Sequence, residues 1–287
     1  MDVEIQNIGI VGAGVMGTSI ANVFASSGYR VLLIDINEET LDEALENIEV
    51  YLAGGVSRNK ISNDDKIEIL KRIRITPDIH KLKQSDIVIE AVDEDYRVKE
   101  TVFKQIDKVI KSDTIVATNT NSLSITRIAE TISHPDRVAG MHFIQPSELM
   151  KLVEITFGEQ TSSKTVSIIK EVVENLNKEV VVITKDTSGH IVNRILTPLL
   201  IEAINVYEAG IATKEDIDKA IRYGLNHPMG PFELQDFIGL DVCYDLMEDL
   251  AEEFDDKTLQ PPKTIKELVE AGHVGRKVGK GYYNYKI

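Results

Sequence analysis

Ile8-Gly9-Ile10-Val11-Gly12-Ala13-Gly14-Val15-Met16-Gly17-Thr18-Ser19-Ile20-Ala21 is the stretch that decides the fold. An apolar run passes without a spacer into three glycines in the pattern G-x-G-x-x-G, and small and apolar residues then continue at helical spacing. Strand, glycine loop and helix in that order are the setting in which such a loop binds a dinucleotide. Gly12 permits the tight turn, Gly14 lets a pyrophosphate come close to the backbone, and Gly17 lets the helix pack on the strand. The pyrophosphate is then expected against the N–H groups of the helix start, at Val15 and Met16.

A second feature supports the first. Asp35 closes the next expected strand, about 20 residues beyond the loop, where a carboxylate accepts hydrogen bonds from the adenosine ribose and repels a 2′-phosphate. The expected cofactor is therefore NAD and not NADP. Asp35 could alternatively cap the following helix, but Asn37 is the better cap. FAD uses the same loop, usually in a longer chain, and is set aside.

Beyond the loop, short β-branched runs alternate with helical stretches. Strands are expected at 5–11, 30–35, 72–76, 86–91, 114–118, 137–143, 152–156 and 179–184, with a helix over 163–176. That rhythm predicts an α/β fold, a doubly wound and mainly parallel sheet with crossover helices. After Asp186-Thr187-Ser188-Gly189 the pattern becomes helix after helix, at 191–208, 214–223, 233–253 and 262–271. Two domains are expected: a dinucleotide-binding domain over 1–185 and an all-α domain over 186–287.

The formal charge of −15 argues against nucleic acid or an anionic membrane as partner, since either needs a basic footprint. The single cysteine, Cys243, cannot form an internal disulfide and has no zinc-ligand neighbours, so no metal is expected and a reducing compartment fits. No apolar run approaches the roughly 18 residues of a membrane span, and the leading strand is not built like a signal peptide. A cytoplasmic protein is the expectation.

Further motifs carry more specific information: Asn119-Thr120-Asn121-Ser122-Leu123-Ser124-Ile125, Gly140-Met141-His142-Phe143, Met150-Lys151-Leu152-Val153-Glu154, Ile191-Val192-Asn193-Arg194, His227-Pro228-Met229-Gly230-Pro231 and Gly275-Arg276-Lys277-Val278-Gly279-Lys280-Gly281. Over essentially its whole length the chain resembles the 3-hydroxyacyl-CoA dehydrogenases, above all the short bacterial 3-hydroxybutyryl-CoA dehydrogenases. The resemblance implies NAD as cofactor, a helical domain that forms most of a homodimer interface, and a small-molecule substrate, an acyl-CoA or related 3-hydroxy acid, between the domains.

Oxidising a secondary alcohol requires a base for the hydroxyl proton, and an imidazole is suited to that exchange near neutrality. His142 ends one expected strand and Glu154 the next, where a carboxylate can orient the ring and stabilise its protonated form. A histidine or glutamate at a strand end is more often structural; the resemblance is what assigns the catalytic pair to these two. It also assigns Asn193 to the substrate oxygen, Glu94 and Lys99 to the nicotinamide end and its ribose, and Asn121 and Gln145 to positions beside cofactor and substrate.

The chain departs from the family pattern around the substrate. Asn121 stands where a serine is usual, Gln145 replaces an asparagine, and Ser147-Glu148 replaces small apolar residues. Coenzyme A phosphates call for basic side chains, and only Arg58 and Lys60 remain where the family carries several lysines. The leading expectation is an NAD-dependent dehydrogenase of short 3-hydroxyacyl-CoA thioesters. The alternatives are a dehydrogenase of the same fold for a 3-hydroxy or 3-amino acid not carried on CoA, and a binding protein without turnover, against which the acid–base pair argues.

Overall fold

The computed structural model describes residues 5–286. The chain divides into two compact units between Thr187 and Ser188. The first contains, in order, β1 (Asn7–Val11), α1 (Val15–Ser26), β2 (Arg30–Ile34), α2 (Glu38–Ser57), α3 (Asn63–Lys71), β3 (Ile73–Thr76), β4 (Ile87–Glu90), α4 (Tyr96–Asp107), β5 (Ile115–Thr118), α5 (Ile125–Ala129), β6 (Val138–Phe143), β7 (Leu152–Phe157), α6 (Ser163–Asn175) and β8 (Glu179–Ile183).

One sheet takes all eight strands in the order β3-β2-β1-β4-β5-β6-β7-β8. Pairing is parallel except between β6 and β7, which run antiparallel. Strand order reverses beside β1, so the ends of β1 and β4 open a crevice, the place where doubly wound sheets bind ligands. Both faces are covered, and β4 shows how the sequence achieves it: Ile87 and Ile89 enter one core with Phe24, Ile48 and Ile169, whereas Val88 enters the other with Phe103, Ile106 and Ile128. Alternation with period two, apolar on both sides, is what a strand buried on both faces requires.

The second unit consists of α7 (Val192–Glu208), α8 (Lys214–Gly224), α9 (Pro231–Ile238), α10 (Leu240–Glu253) and α11 (Lys263–Glu270) around Leu200, Ile204, Phe232, Leu240 and Met247. Thr213 caps α8 by accepting the Asp216 N–H. The single helix expected over 233–253 is two helices. Gly239 breaks it at φ +112°, a conformation that a residue with a Cβ adopts only under strain. A Cβ there would also lie 2.8 Å from the Asp241 carboxylate.

Two buried carboxylates hold the C-terminal tail. Asp236 accepts the Tyr282 N–H (2.8 Å), the Tyr283 N–H (2.9 Å) and the Tyr285 hydroxyl (2.9 Å), while Asp218 accepts the Tyr283 hydroxyl (2.8 Å). Burial, then the bond to Asp236, pushes the Tyr285 hydroxyl up to about 12. Burial and Asp218 push Tyr283 up as well. Among the described residues no helix is long and apolar enough to cross a membrane. Among them, too, no group of three or more His, Cys, Asp or Glu could hold a metal ion.

Candidate active site

The antiparallel reversal from β6 to β7 brings together two residues twelve positions apart in the sequence. His142 is directly opposite Glu154 in the ladder, so their side chains share one face of the sheet. His142 Nδ1 lies 2.9 Å from Glu154 Oε2. Both side chains are buried, Glu154 completely. A carboxylate at Nδ1 favours the tautomer with its proton on that nitrogen, which leaves Nε2 as the atom to take or return a substrate proton. Burial means that the charge of Glu154 acts on the ring with little screening by water.

At the glycine loop the glycines differ in what the fold demands of them. Gly12 has φ +103°, and a Cβ on Gly17 would lie 1.8 Å from the Gly12 carbonyl oxygen, so helix and loop could not close. Gly14 differs from both: its φ is an ordinary −64° and a Cβ would meet nothing within 4 Å. The protein itself does not require glycine at that position. The open space there lets a ligand come within backbone distance, and the N–H groups of Val15, a residue 69% exposed, and Met16 open α1 beside it. Asp35 fixes the loop by accepting the Ala13 N–H (2.9 Å) and the Asn37 N–H (3.0 Å). Each carboxylate oxygen retains a lone pair for a ribose hydroxyl. Asn37, not Asp35, caps α2. These residues fit an NAD molecule.

Glu94 and Lys99 meet, and a third residue joins them. The Lys99 ammonium is buried against Glu90 Oε1 (2.7 Å), Glu94 Oε2 (3.2 Å) and the Val92 carbonyl (3.2 Å). Glu94 Oε1 accepts the Thr120 hydroxyl and the N–H groups of Asn121 (2.6 Å) and Ser122 (2.9 Å). Burial opposes the charge of Glu94, but Lys99 and these donors hold its carboxyl below the usual range. The loop bearing Asn121 is thus tied to α4 through Glu94. Glu90 was not singled out from the sequence. Its signal was a charge directly after three aliphatic residues of an interior strand, where a carboxylate must find a partner.

Two cavities lie along α2. One, of about 360 Å³, is lined by Gly14, Val15, Tyr51, Gln145 and Glu148. The other, of about 730 Å³, is lined by Tyr51, Arg58, Lys60 and Arg72 together with Asp65 and Glu68. Tyr51 borders both, and Arg72 adds a third cation to the two expected. The loop after β6 forms the wall of the first cavity: Ser19 and Ser147 hydroxyls lie 2.5 Å apart, Ser19 also donates to Glu148, and the Asn22 amide donates to Glu148 at 3.3 Å. Lys178 donates to the carbonyls of Ser147 (2.6 Å) and Met150 (2.7 Å). Burial, then Glu148, raises the Tyr51 hydroxyl above its usual value. Asn193 lies in the second unit, at the second position of α7.

Known proteins match the chain end to end. The family model described as 3-hydroxyacyl-CoA dehydrogenase, NAD binding domain, matches residues 7–187, and that of the C-terminal domain matches 189–285. A 3-hydroxybutyryl-CoA dehydrogenase of Clostridioides difficile is 41% identical over 280 residues, covering 98% of this chain and 99% of its own. The crystal structure of FadB2 from M. tuberculosis is similar with a TM-score of 0.95 at 38% identity, over 98% of this chain and 99% of that one. The structure of (S)-3-hydroxybutyryl-CoA dehydrogenase PaaH1 from Ralstonia eutropha gives 0.92 at 39% identity, over 99% and 100%.

Proposed function

The chain belongs to the 3-hydroxyacyl-CoA dehydrogenase family, and on that premise we propose that it interconverts a short-chain 3-hydroxyacyl-CoA and its 3-oxoacyl-CoA, with 3-hydroxybutyryl-CoA and acetoacetyl-CoA as the pair to test first. The observation that carries the reading is the 2.9 Å contact of His142 with Glu154 across a fixed strand register. NAD, when bound, takes the hydride from C3 or returns it. The residues of the chain do the rest.

In the oxidation, His142 Nε2 accepts the proton of the 3-hydroxyl as the carbonyl forms. Glu154 stabilises the imidazolium that results, a cation that would otherwise be costly in a buried site. In the reduction the same nitrogen returns the proton to the developing alkoxide. Asn121 and Asn193 are assigned to hydrogen-bond the substrate, and Gly12, Gly14, Val15, Met16, Gly17, Asp35, Glu94, Lys99 and Gln145 to the cofactor. Arg58 and Lys60, with Arg72, line a cavity that suits the phosphates of coenzyme A.

We further assign the enzyme to the cytoplasm and to fatty acid metabolism, and to a homodimer paired through its C-terminal unit. The dimer is supported by large apolar side chains left in solvent there: Ile195 is 67% exposed, Ile211 72% and Tyr223 77%.

The test is NADH consumption with acetoacetyl-CoA beside free acetoacetate, in the native protein and in Asn121→Ser. Turnover confined to the thioester supports the proposal. Turnover of acetoacetate alone would overturn it, and so would activity on the thioester that appears only in Asn121→Ser.

A further inference from the structure

Glu90, Glu94 and Lys99 form a cluster of two carboxylates and one ammonium, with one negative charge in excess. Glu90 is fully buried, and its carboxylate accepts from Lys99 Nζ at 2.7 Å, the Val92 N–H at 2.7 Å and the Thr118 hydroxyl at 2.6 Å. Burial pushes the Glu90 carboxyl up from its ordinary value while Lys99 and these donors oppose that shift, and an ionised carboxylate, which only accepts, suits such a set. A single buried glutamate would neutralise Lys99; this site has Glu90 fully buried and Glu94, 24% exposed, beside it, although burying a carboxylate is expensive. The second charge therefore requires a use beyond packing.

Its place in the fold points to one. Glu90 is the last residue of β4, and Glu94 holds the loop that follows β5. Ligands of a doubly wound sheet lie outside the carboxyl ends of its strands. With the adenosine half at Asp35 beyond β2, the other half of the dinucleotide falls beyond β4 and β5. The oxidised nicotinamide ring is a cation and the reduced ring is neutral.

We propose that the excess negative charge supplied by Glu90 shifts the affinity of the site towards NAD⁺ relative to NADH and so sets the redox poise of the bound cofactor. Glu90 is a positioning residue: it fixes Lys99 and, through Lys99, Glu94, and it acts on the cofactor by its field. The inference rests on the reading of the protein as NAD-binding.

The experiment measures the dissociation constants of NAD⁺ and NADH separately, by titration calorimetry, for the native protein, Glu90→Gln and the double variant Glu90→Gln/Lys99→Gln. In Glu90→Gln the cluster becomes neutral. The ratio Kd(NAD⁺)/Kd(NADH) is then expected to rise on the order of tenfold, as for one unit charge about 12 Å from the ring at an effective dielectric constant of about 20. The double variant has the native excess of one negative charge, and the ratio is expected to return towards the native value. Disruption of packing would weaken both cofactor forms alike and would not be undone by a second substitution. An unchanged ratio in Glu90→Gln, or a shift that persists in the double variant, overturns the proposal. If Glu90→Gln does not fold, Glu94→Gln makes the same change of charge at a side chain 24% exposed and must move the ratio in the same sense. A native protein that binds neither dinucleotide would instead overturn the NAD reading.

Discussion

The division of work proposed for His142 and Glu154 is one that single substitutions can separate. His142→Ala removes the base and is expected to abolish turnover while NADH affinity is preserved; single-turnover kinetics beside a fluorescence titration checks both, and a variant retaining more than about a tenth of the native rate would remove His142 from its role. Glu154→Gln keeps the shape but not the charge, and kcat is expected to fall about 10³-fold, since an amide neither holds the required tautomer nor stabilises an imidazolium. Asp35→Ala should relax the preference for NAD over NADP. Because the same carboxylate holds the Ala13 N–H, NADH affinity should fall as well. An unchanged ratio of the two cofactor affinities would mean that the ribose lies elsewhere.

The glycine loop joins β1 to α1, and its glycines should behave oppositely when replaced. Gly17→Ala is expected to cost about 3 kcal/mol or more, because its Cβ meets backbone that cannot give way. Gly14→Val should leave the thermal midpoint nearly unchanged and weaken NADH roughly tenfold or more, about the loss of one or two hydrogen bonds to charged groups. The reverse pattern would mean that the open space at Gly14 is not a ligand's. Most of this layout was legible in the sequence: the strands are short apolar runs and the loop carries its own spacing. The turn at Gly239 was not, because the apolar spacing of 233–253 continues through it and only the backbone angle reveals the break. Nor was the pairing of Lys99 with Glu90, since a glutamate nine residues before a lysine looks like any surface charge until the strand is known to be interior. The His142–Glu154 contact depended on one strand reversal that no spacing encodes, and the family resemblance pointed to the pair first.

At the scale of the whole molecule, the tail of the C-terminal unit should carry a loss of stability at alkaline pH. In the C-terminal unit, Tyr285 loses its proton at about 12 when folded, against an ordinary value near 10. Between those values the unfolded chain has released a proton that the folded chain keeps, so stability is present below about 10 and is lost as pH rises towards 12. Denaturant melts from pH 9 to 12 should show this loss, and Tyr285→Phe should reduce its slope; equal slopes would exclude that hydroxyl. Sedimentation equilibrium tests assembly: a dimer is expected, converted to monomer by Tyr223→Asp with Ile211→Asp, and a native monomer at micromolar concentration would remove the pairing proposed. The strand pair that joins His142 to Glu154 has a last consequence. The ladder aligns acid and base, whereas loop 144–151 between them lines the cavity with Gln145 and Glu148. On the proposed function, proton transfer and the fit of the bound molecules belong to separate parts of one hairpin, and a loop grafted from a relative is expected to change which ligands bind while the His142–Glu154 pair stays aligned.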